Sequence, residues 1–211
     1  MIGIIDYGMG NLFSVSKALE RLGAEYFISE DKEELFQADS LILPGVGSFK
    51  DAMERLNEIG LTEMINDYVK TGKPLLGICL GMQLLFKQSE ENGLTKGLNL
   101  LSGEVIRFPG EKNGQLYKVP HMGWNKLDFK NESPILANID EDFVYFVHSY
   151  YVKTEDPSVI IASCEYDVEV PAVVGRNNVF GMQFHPEKSG KLGMELLRNF
   201  TELTKERMSI S

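Results

Sequence analysis

Short apolar runs alternate with stretches of helical periodicity through the first half of the chain, and this alternation leaves few folds open. The apolar runs cover residues 1–6, 26–28, 40–43 and 75–78. A helix with an apolar stripe at Val15, Ala18, Leu19 and Leu22 separates the first two runs, and Gly23 ends it. Helical periodicity over about residues 49–69, broken near Gly60, separates the last two. Strands joined by crossover helices predict a mainly parallel sheet with helices on both faces.

The second half of the chain has closely spaced apolar segments joined by turn residues. Strands are expected over residues 104–108, 124–129, 143–147, 159–164, 172–174 and 179–184, and a final helix over about 191–205. The short connections favour hairpins with antiparallel pairing, and no linker divides the chain. The sequence therefore predicts an α/β fold, a single three-layer domain over residues 1–211 with one mixed, mainly parallel central sheet flanked by helices.

Charge and cysteine content narrow the functional classes. Asp and Glu outnumber Lys and Arg by 31 to 21, a formal charge of −10, which argues against nucleic acid or an anionic membrane as the main partner. No apolar stretch approaches the roughly 18 residues that span a bilayer, and no basic segment precedes the first apolar run. Two cysteines cannot build a disulfide framework or a four-thiolate metal site. A cytoplasmic protein without a metal or cofactor is expected.

The ends of the predicted parallel strands are where a doubly wound sheet binds its ligands, and one of them resembles a nucleophile elbow. There, an apolar strand enters Gly77-Ile78-Cys79-Leu80-Gly81, and a helix follows at once. Flanking glycines permit the sharp turn that exposes the central side chain. A cysteine at a helix N-terminus favours the thiolate, and the Leu80 N–H can stabilise an oxyanion in the same space. Cys79 is therefore the candidate nucleophile, whereas Cys164, at the end of a strand, is expected to be a buried apolar residue.

A cysteine nucleophile needs a base and a group that orients the base, and the sequence offers one pair at short spacing. His185 follows an apolar strand, and Glu187 stands two residues later across a proline. Cys79, His185 and Glu187 supply nucleophile, base and orienting carboxylate. The other histidines, His121 and His148, have no carboxylate nearby in sequence and are expected to bind or pack. No side-chain spacing indicates a metal site, and Gly45 and Gly47 fit neither a dinucleotide fingerprint nor a P-loop.

These motifs resemble those of a known family. The segments GICLGMQ (77–83) and HPE (185–187) resemble the triad, or class I, glutamine amidotransferases, which hydrolyse glutamine through a cysteinyl thioester. IDYGMGN (5–11), LPGVGSF (43–49), PHMGWN (120–125), YFVHSY (145–150) and FHPEKS (184–189) together resemble the glutaminase subunits of imidazole glycerol phosphate synthases. The resemblance spans essentially the whole chain, in order.

The resemblance implies roles for further residues. It places the oxyanion site at the Leu80 amide and an amide of the loop at Val46 and Gly47. Gln83 would contact the substrate amide, and backbone around His148, Ser149 and Tyr150 would hold the amino-acid end of L-glutamine. Ammonia would pass to a partner (βα)8-barrel cyclase that makes imidazole glycerol phosphate and aminoimidazole carboxamide ribotide. The positions matching that interface are Asn11, Trp124, Tyr145 and Lys188.

Three other functions remain open from the residues. The first is an amidotransferase subunit for aminobenzoate or pyridoxal phosphate synthesis, which its partner would distinguish. The second is a cysteine peptidase or γ-glutamyl hydrolase, which would act on peptides or γ-glutamyl conjugates but not on free glutamine. The third is an inactive scaffold, against which the complete triad argues. Since the glycine-rich loop at 45–47 is conformationally soft, we also expect partner or ligand binding to set its amides and make the glutaminase conditional.

Overall fold

The computed structural model describes residues 1–208 of the chain. Its helices are α1 (Leu12–Arg21), α2 (Lys32–Gln37), α3 (Phe49–Glu58), α4 (Leu61–Lys70), α5 (Leu80–Leu84) and α6 (Gly190–Met208). Its strands are β1 (Ile2–Ile5), β2 (Tyr26–Ser29), β3 (Ser40–Leu43), β4 (Leu75–Ile78), β5 (Gln88–Ser89), β6 (Thr95–Lys96), β7 (Glu104–Arg107), β8 (Glu111–Lys112), β9 (Gln115–Leu116), β10 (His121–Lys126), β11 (Asp128–Phe129), β12 (Phe143–His148), β13 (Tyr150–Lys153), β14 (Ile160–Tyr166), β15 (Val168–Arg176) and β16 (Val179–Met182). Short 3-10 turns cover Pro134–Leu136, Pro157–Val159 and Pro186–Lys188.

A mixed sheet forms the centre of the molecule. Within the described chain its strand order is β11-β14-β15-β16-β4-β3-β1-β2. The pairs from β2 to β16 are parallel and the pairs from β16 to β11 are antiparallel. The carboxyl ends of β1, β3, β4 and β16 therefore meet at one edge of the sheet, where the sequence places its candidate motifs.

Burial on both faces of this sheet explains why its strands are almost uniformly apolar. Alternate side chains enter two cores: Ile42, Leu76 and Ile78 point to one side, and Leu41, Leu43 and Leu75 to the other. The first core holds the apolar faces of α1 and α6, and the second holds those of α2 to α5. This is the three-layer α/β arrangement that the sequence predicts.

The expectation of one sheet is wrong for the second half of the chain. β10 pairs with β12 in a separate antiparallel ribbon, and β13-β7-β5-β6 forms another small sheet. The strand expected over residues 124–129 is divided at buried Leu127, since β10 belongs to the ribbon and β11 to the edge of the central sheet. Alternation of side chains specifies a pleated segment but not its partner, so the sequence could not separate these sheets.

Two helix boundaries lie where the sequence predicts them, whereas the helix α2 is not predicted. Gly23 and Gly60 both adopt positive φ, at the end of α1 and between α3 and α4, as expected of glycine stops. The six-residue helix α2 was not predicted because it buries only Leu35 and is too short for periodicity. Its N-cap is Asp31, whose carboxylate accepts the Glu34 N–H at 2.8 Å. Among the described residues, no helix has the length and apolarity needed to cross a membrane.

Candidate active site

Cys79 occupies a sharp turn between β4 and α5. Its backbone has φ 55° and ψ −114°, a conformation that costs a non-glycine residue about 1–3 kcal/mol. The surrounding packing imposes it: a Cβ on Gly81 would lie 1.9 Å from the Leu43 carbonyl oxygen, and one on Gly77 would lie 2.5 Å from the Gly81 oxygen. Both glycines of the elbow are therefore required for backbone contact. The structure has the strained turn that the G-x-C-x-G motif predicts.

The sheet brings His185 to this turn from far along the chain. β16 runs parallel to β4, with Met182 opposite Ile78, and the Cys79 N–H donates to the Met182 carbonyl at 2.7 Å. The chain continues three residues to His185, whose imidazole is hydrogen-bonded to the Cys79 side chain. The other ring contact, from Nδ1 to Glu187 Oε1, measures 2.9 Å, which leaves Nε2 for the sulfur. The three residues predicted as a triad are thus brought together.

The electrostatics of this group favour a charged histidine. Burial lowers the pKa of His185, but its hydrogen bonds to Cys79 and Glu187, and their negative charges, outweigh burial and raise the pKa to about 10. The side chains of His185 and Glu187 are only 7% and 1% exposed. α5 has only five residues, so the imidazolium, rather than a long helix dipole, is the main stabiliser available to a Cys79 thiolate.

A cavity of about 330 Å³ opens beside the sulfur. Its lining residues are Val46, Gly47, Cys79, Leu80, Gln83, Glu91, Val147, His148, Ser149, Tyr150 and His185. All of the residues predicted for the oxyanion and substrate site border this one cavity. The Gln83 amide nitrogen donates to the Tyr150 carbonyl and to Gln183 Oε1, both at 3.1 Å, so its oxygen is the atom left to accept from a substrate.

The glycine-rich loop lies against the elbow but does not present both of its amides. A Cβ on Gly45 would lie 2.8 Å from the Gly81 nitrogen, so this loop packs directly on the turn that holds Cys79. The Val46 N–H donates to the Met9 carbonyl at 3.2 Å and is not available to an oxyanion. Gly47 has φ 97° and lines the cavity. Of the two loop amides predicted for the oxyanion site, that of Val46 is thus already hydrogen-bonded, and that of Gly47 remains the candidate donor.

Two further residues, neither of them predicted from the sequence, contribute to the site or to the loop beside it. Glu91 reaches the cavity from the segment after β5, and its carboxylate accepts the Phe49 N–H at 2.8 Å. It follows no predicted strand, so its sequence neighbourhood gave no indication of it. Tyr7 is buried and donates to the Pro44 carbonyl at 2.9 Å, and this hydrogen bond holds the start of the glycine-rich loop in place. Its position in the DYG turn after β1 was the available indication. Burial and the nearby Cys79 raise the pKa of Tyr7.

The residues expected at a partner interface lie on neighbouring surface elements. Trp124 and Tyr145 face each other across the β10–β12 ribbon, with ring centroids 5.8 Å apart, and Trp124 is 54% exposed. The Tyr145 N–H donates to Ser189 Oγ at 3.1 Å, which ties the ribbon to the turn carrying exposed Lys188. Asn11 caps α1, its side chain accepting the Ser14 N–H at 3.2 Å, and α1 packs against that turn.

Within residues 1–208, no three His, Cys, Asp or Glu side chains are arranged to hold a metal ion. Cys164 is buried, and burial raises the pKa of its thiol to about 12. It lies outside the cavity described above.

Comparisons with known proteins agree with the motifs. The family model described as glutamine amidotransferase class-I matches residues 3–203. The chain is similar to the imidazole glycerol phosphate synthase subunit HisH of Geobacillus kaustophilus, with 66% identity over 98% of this chain and 99% of that protein. It is similar to the HisH subunit of Bacillus subtilis, with 58% identity over 98% of each. A solved glutamine amidotransferase shares the fold at TM-score 0.75 and 23% identity, covering 97% of this chain and 98% of that one.

Proposed function

The chain belongs to the class-I glutamine amidotransferases, and within them to the HisH subunits of imidazole glycerol phosphate synthase; on this premise we propose that Cys79 hydrolyses L-glutamine through a covalent thioester, with His185 and Glu187 as its partners. The function is that of a glutaminase subunit in histidine biosynthesis. One observation supports the residue assignment above the others: a strained cysteine and a histidine line one cavity, and a buried carboxylate holds the histidine from its other side.

The cavity has a donor or acceptor for each end of glutamine. The Gln83 amide oxygen accepts from the carboxamide NH₂ of the substrate, since its nitrogen is already bonded to Tyr150 and Gln183. Glu91 supplies the negative charge for the substrate ammonium group. Backbone groups at Ser149 and Tyr150 hold the α-carboxylate. This orientation directs the carboxamide carbon toward Cys79.

Acylation then follows from the positions of the two catalytic groups. The Cys79 thiolate attacks the carboxamide carbon and forms a carbon–sulfur bond, and negative charge moves to the carbonyl oxygen. The Leu80 N–H, which has no acceptor within its own helix, stabilises that charge. The His185 imidazolium gives its proton to the leaving nitrogen as the carbon–nitrogen bond breaks. The products of this step are ammonia and a γ-glutamyl thioester on Cys79.

Hydrolysis of the thioester uses the same groups in reverse. Neutral His185 takes a proton from water, the hydroxyl oxygen attacks the thioester carbon, and Cys79 leaves as a thiolate beside the restored imidazolium. Glu187 holds Nδ1 in both steps, fixing the ring so that Nε2 always faces the reaction. The balance is one glutamine and one water consumed, with one glutamate and one ammonia formed.

The Val46 N–H is hydrogen-bonded to Met9 and cannot serve as a second oxyanion donor, which supports a glutaminase activity that depends on the partner. A missing oxyanion donor slows such reactions by about 10² to 10³. If a partner or its ligand turns the loop so that a second N–H faces the oxyanion, the rate rises by this factor. Glutamine turnover should therefore increase from the free subunit to the complex and again with the cyclase's nucleotide bound. Three equal rates would contradict the proposal.

The partner that fits is a (βα)8-barrel cyclase, to which ammonia passes directly. Exposed Trp124, together with Tyr145 and Lys188, provides the docking surface beside the triad. Such a role in amino-acid synthesis supports a cytoplasmic location for the protein. The identity to HisH subunits favours this partner over the aminobenzoate, pyridoxal phosphate and peptidase alternatives.

The assignment is tested with a glutamine-mimicking electrophile and peptide mass spectrometry. The adduct should form on Cys79 and be prevented by excess glutamine, while Cys164 serves as the internal control and stays unmodified. The His185→Gln variant should react at least tenfold more slowly. Modification of Cys164 at a comparable rate, or labelling that glutamine does not prevent, would contradict the proposal.

A further inference from the structure

Two buried histidines face each other across the β10–β12 ribbon. His121 and His148 are paired in the strand register, and Nδ1 of His121 lies 2.9 Å from Nε2 of His148. Both side chains are buried, His121 completely. Neither takes part in the chemistry described above, although His148 borders the cavity.

The partners of the pair fix how many protons it holds. Nδ1 of His148 lies 2.7 Å from the Tyr150 carbonyl oxygen, which can only accept, so this nitrogen carries hydrogen. At the other end, Nε2 of His121 lies 2.8 Å from the Asn125 amide oxygen, while the Asn125 nitrogen donates to the Glu165 carbonyl at 3.2 Å. Because that carbonyl requires the amide nitrogen, the amide oxygen faces His121, and Nε2 also carries hydrogen.

One further hydrogen must lie between the two rings, since two bare nitrogens at 2.9 Å would repel. That makes three protons on four ring nitrogens, one more than two neutral histidines hold. The count is the same whichever ring holds the central proton.

The packing around His121 provides a second, independent indication of positive charge. Its ring is stacked nearly parallel on Tyr166, with centroids 4.0 Å apart, and on Phe146, with centroids 4.6 Å apart, each at 20°. The faces of aromatic rings are negative and attract a cation.

We propose that His121 and His148 share one extra proton and that the resulting cationic pair is a positioning element for the glutamine site. The proposal rests on the proposed function for its effect on substrate. The pair acts through the Tyr150 carbonyl, which accepts from His148 Nδ1 and also from Gln83 Nε2 at 3.1 Å. It thereby holds Gln83, the residue assigned to the substrate carboxamide, from behind.

The same chain of hydrogen bonds reaches the surface at its other end. Asn125 follows exposed Trp124 on β10, so it ties the proposed docking ribbon to the wall of the cavity. If the extra proton were lost, two acceptors would face each other at one of the links between Asn125, the two histidines and Tyr150, and the connection would loosen.

The groups around His121 and His148 both oppose and favour a positive charge on the pair. Burial lowers the pKa of both histidines, and the nearby His121 adds to this at His148, whereas the Tyr150 carbonyl raises the pKa of His148 and the Asn125 hydrogen bond raises that of His121. The other titratable groups packed nearby are the phenols of Tyr166 on β14, Tyr151 on β13 and Tyr117. Burial raises the pKa of Tyr151 and of Tyr166, so neither phenol brings a negative charge to the pair at neutral pH. The aromatic faces and the two acceptors, the Tyr150 carbonyl and the Asn125 amide oxygen, compensate the buried charge.

The proton count is measured by ¹⁵N NMR of the imidazole nitrogens in the full chain. At neutral pH one bare nitrogen is expected for the pair, and two bare nitrogens would overturn the proposal. Two variants at Asn125, which touches neither substrate nor Cys79, test the cause in opposite directions. Asn125→Leu removes the acceptor and should leave a neutral pair, whereas Asn125→Asp should raise the pH at which the extra proton is lost by at least about one unit.

The effect on the site is measured with the glutamine-mimicking electrophile, which reports binding and reaction separately. His121→Phe keeps an aromatic ring in the stack but cannot hydrogen-bond, so it should weaken electrophile binding about fivefold, the loss of one hydrogen bond. Its maximal labelling rate should change less than twofold. Asn125→Asp should retain binding to a higher pH than the parent chain. A purely structural role predicts the same loss from both Asn125 variants and no pH shift.

The results separate the two proposals. If the parent chain is not labelled on Cys79, the proposed function fails, whatever the NMR count is. If Cys79 is labelled but His121→Phe binds the electrophile as tightly as the parent chain, only the positioning role fails.

Discussion

Removing the charge of Glu187 tests how much the buried carboxylate contributes to the reaction. The Glu187→Gln substitution keeps the side-chain volume but replaces the anion that accepts from His185 Nδ1 at 2.9 Å. A hydrogen bond to a charged group contributes about 1.5–3 kcal/mol, and the 1% exposure of this side chain leaves no solvent to replace it. The expected decrease in rate is therefore about 10- to 150-fold.

The pH dependence of the labelling rate tests the same contribution of Glu187. Glu187 and Cys79 raise the pKa of His185 to about 10 against the effect of burial, so the imidazolium that protonates the leaving nitrogen persists into the alkaline range. Without the carboxylate the pKa falls, and the alkaline limb of the labelling rate should move down by about one to two pH units, at 1.36 kcal/mol per unit.

The assay is the rate of Cys79 modification by the glutamine-mimicking electrophile between pH 6 and pH 10, with glutamine turnover in the complex as a second readout. Glu202→Gln, on the exposed side of α6, is the matched control and should leave both unchanged. A Glu187→Gln rate within twofold of the parent chain and an unshifted alkaline limb would refute the role given to this carboxylate.

Four further outcomes follow from the geometry. Gly81→Ala should lower the free energy of unfolding by at least about 2 kcal/mol in urea titration, because the new methyl group would overlap the Leu43 carbonyl; a loss below 0.5 kcal/mol would contradict the close contact. Cys79→Gly should be about 1 kcal/mol more stable than Cys79→Ala, because only alanine keeps the positive-φ strain; equal stabilities would contradict that strain. The raised pKa of His185 contributes stability that is fully present below the unfolded value near 6.5 and is lost as pH rises through about 10. The free energy of unfolding should therefore fall as pH rises across this range, and His185→Gln should flatten the slope; the same slope in both chains would contradict the raised pKa. Trp124→Ala should weaken cyclase binding at least tenfold while the free subunit keeps its Cys79 labelling rate; unchanged binding would move the interface elsewhere.

The parallel half of the fold could be predicted because each of its strands is buried on both faces. Such strands appear in sequence as continuous apolar runs, and glycine stops such as Gly23 and Gly60 mark the helices between them. The separate ribbon and the small four-stranded sheet could not be predicted, because alternation shows that a segment is pleated but leaves its partner open. The division at Leu127 depends on contacts with two different sheets.

The elbow could be predicted because its chemistry is local. Cys79 and its glycines fit one tight turn, and His185 and Glu187 are two residues apart. Glu91 could not be predicted, because it reaches the cavity from a segment without a strand-end motif. The hydrogen bond from the Val46 N–H to Met9 depends on how two loops pack, which no local pattern specifies.

The covalent intermediate itself is the most direct test of the nucleophile assigned here. Glutamine is mixed with the complex during steady turnover, the reaction is stopped in acid, and the peptides are mapped by mass spectrometry. We predict a γ-glutamyl thioester on the peptide containing Cys79 and none on the peptide containing Cys164. Continued release of ammonia by a Cys79→Ala complex, with no acylated cysteine, would contradict the account.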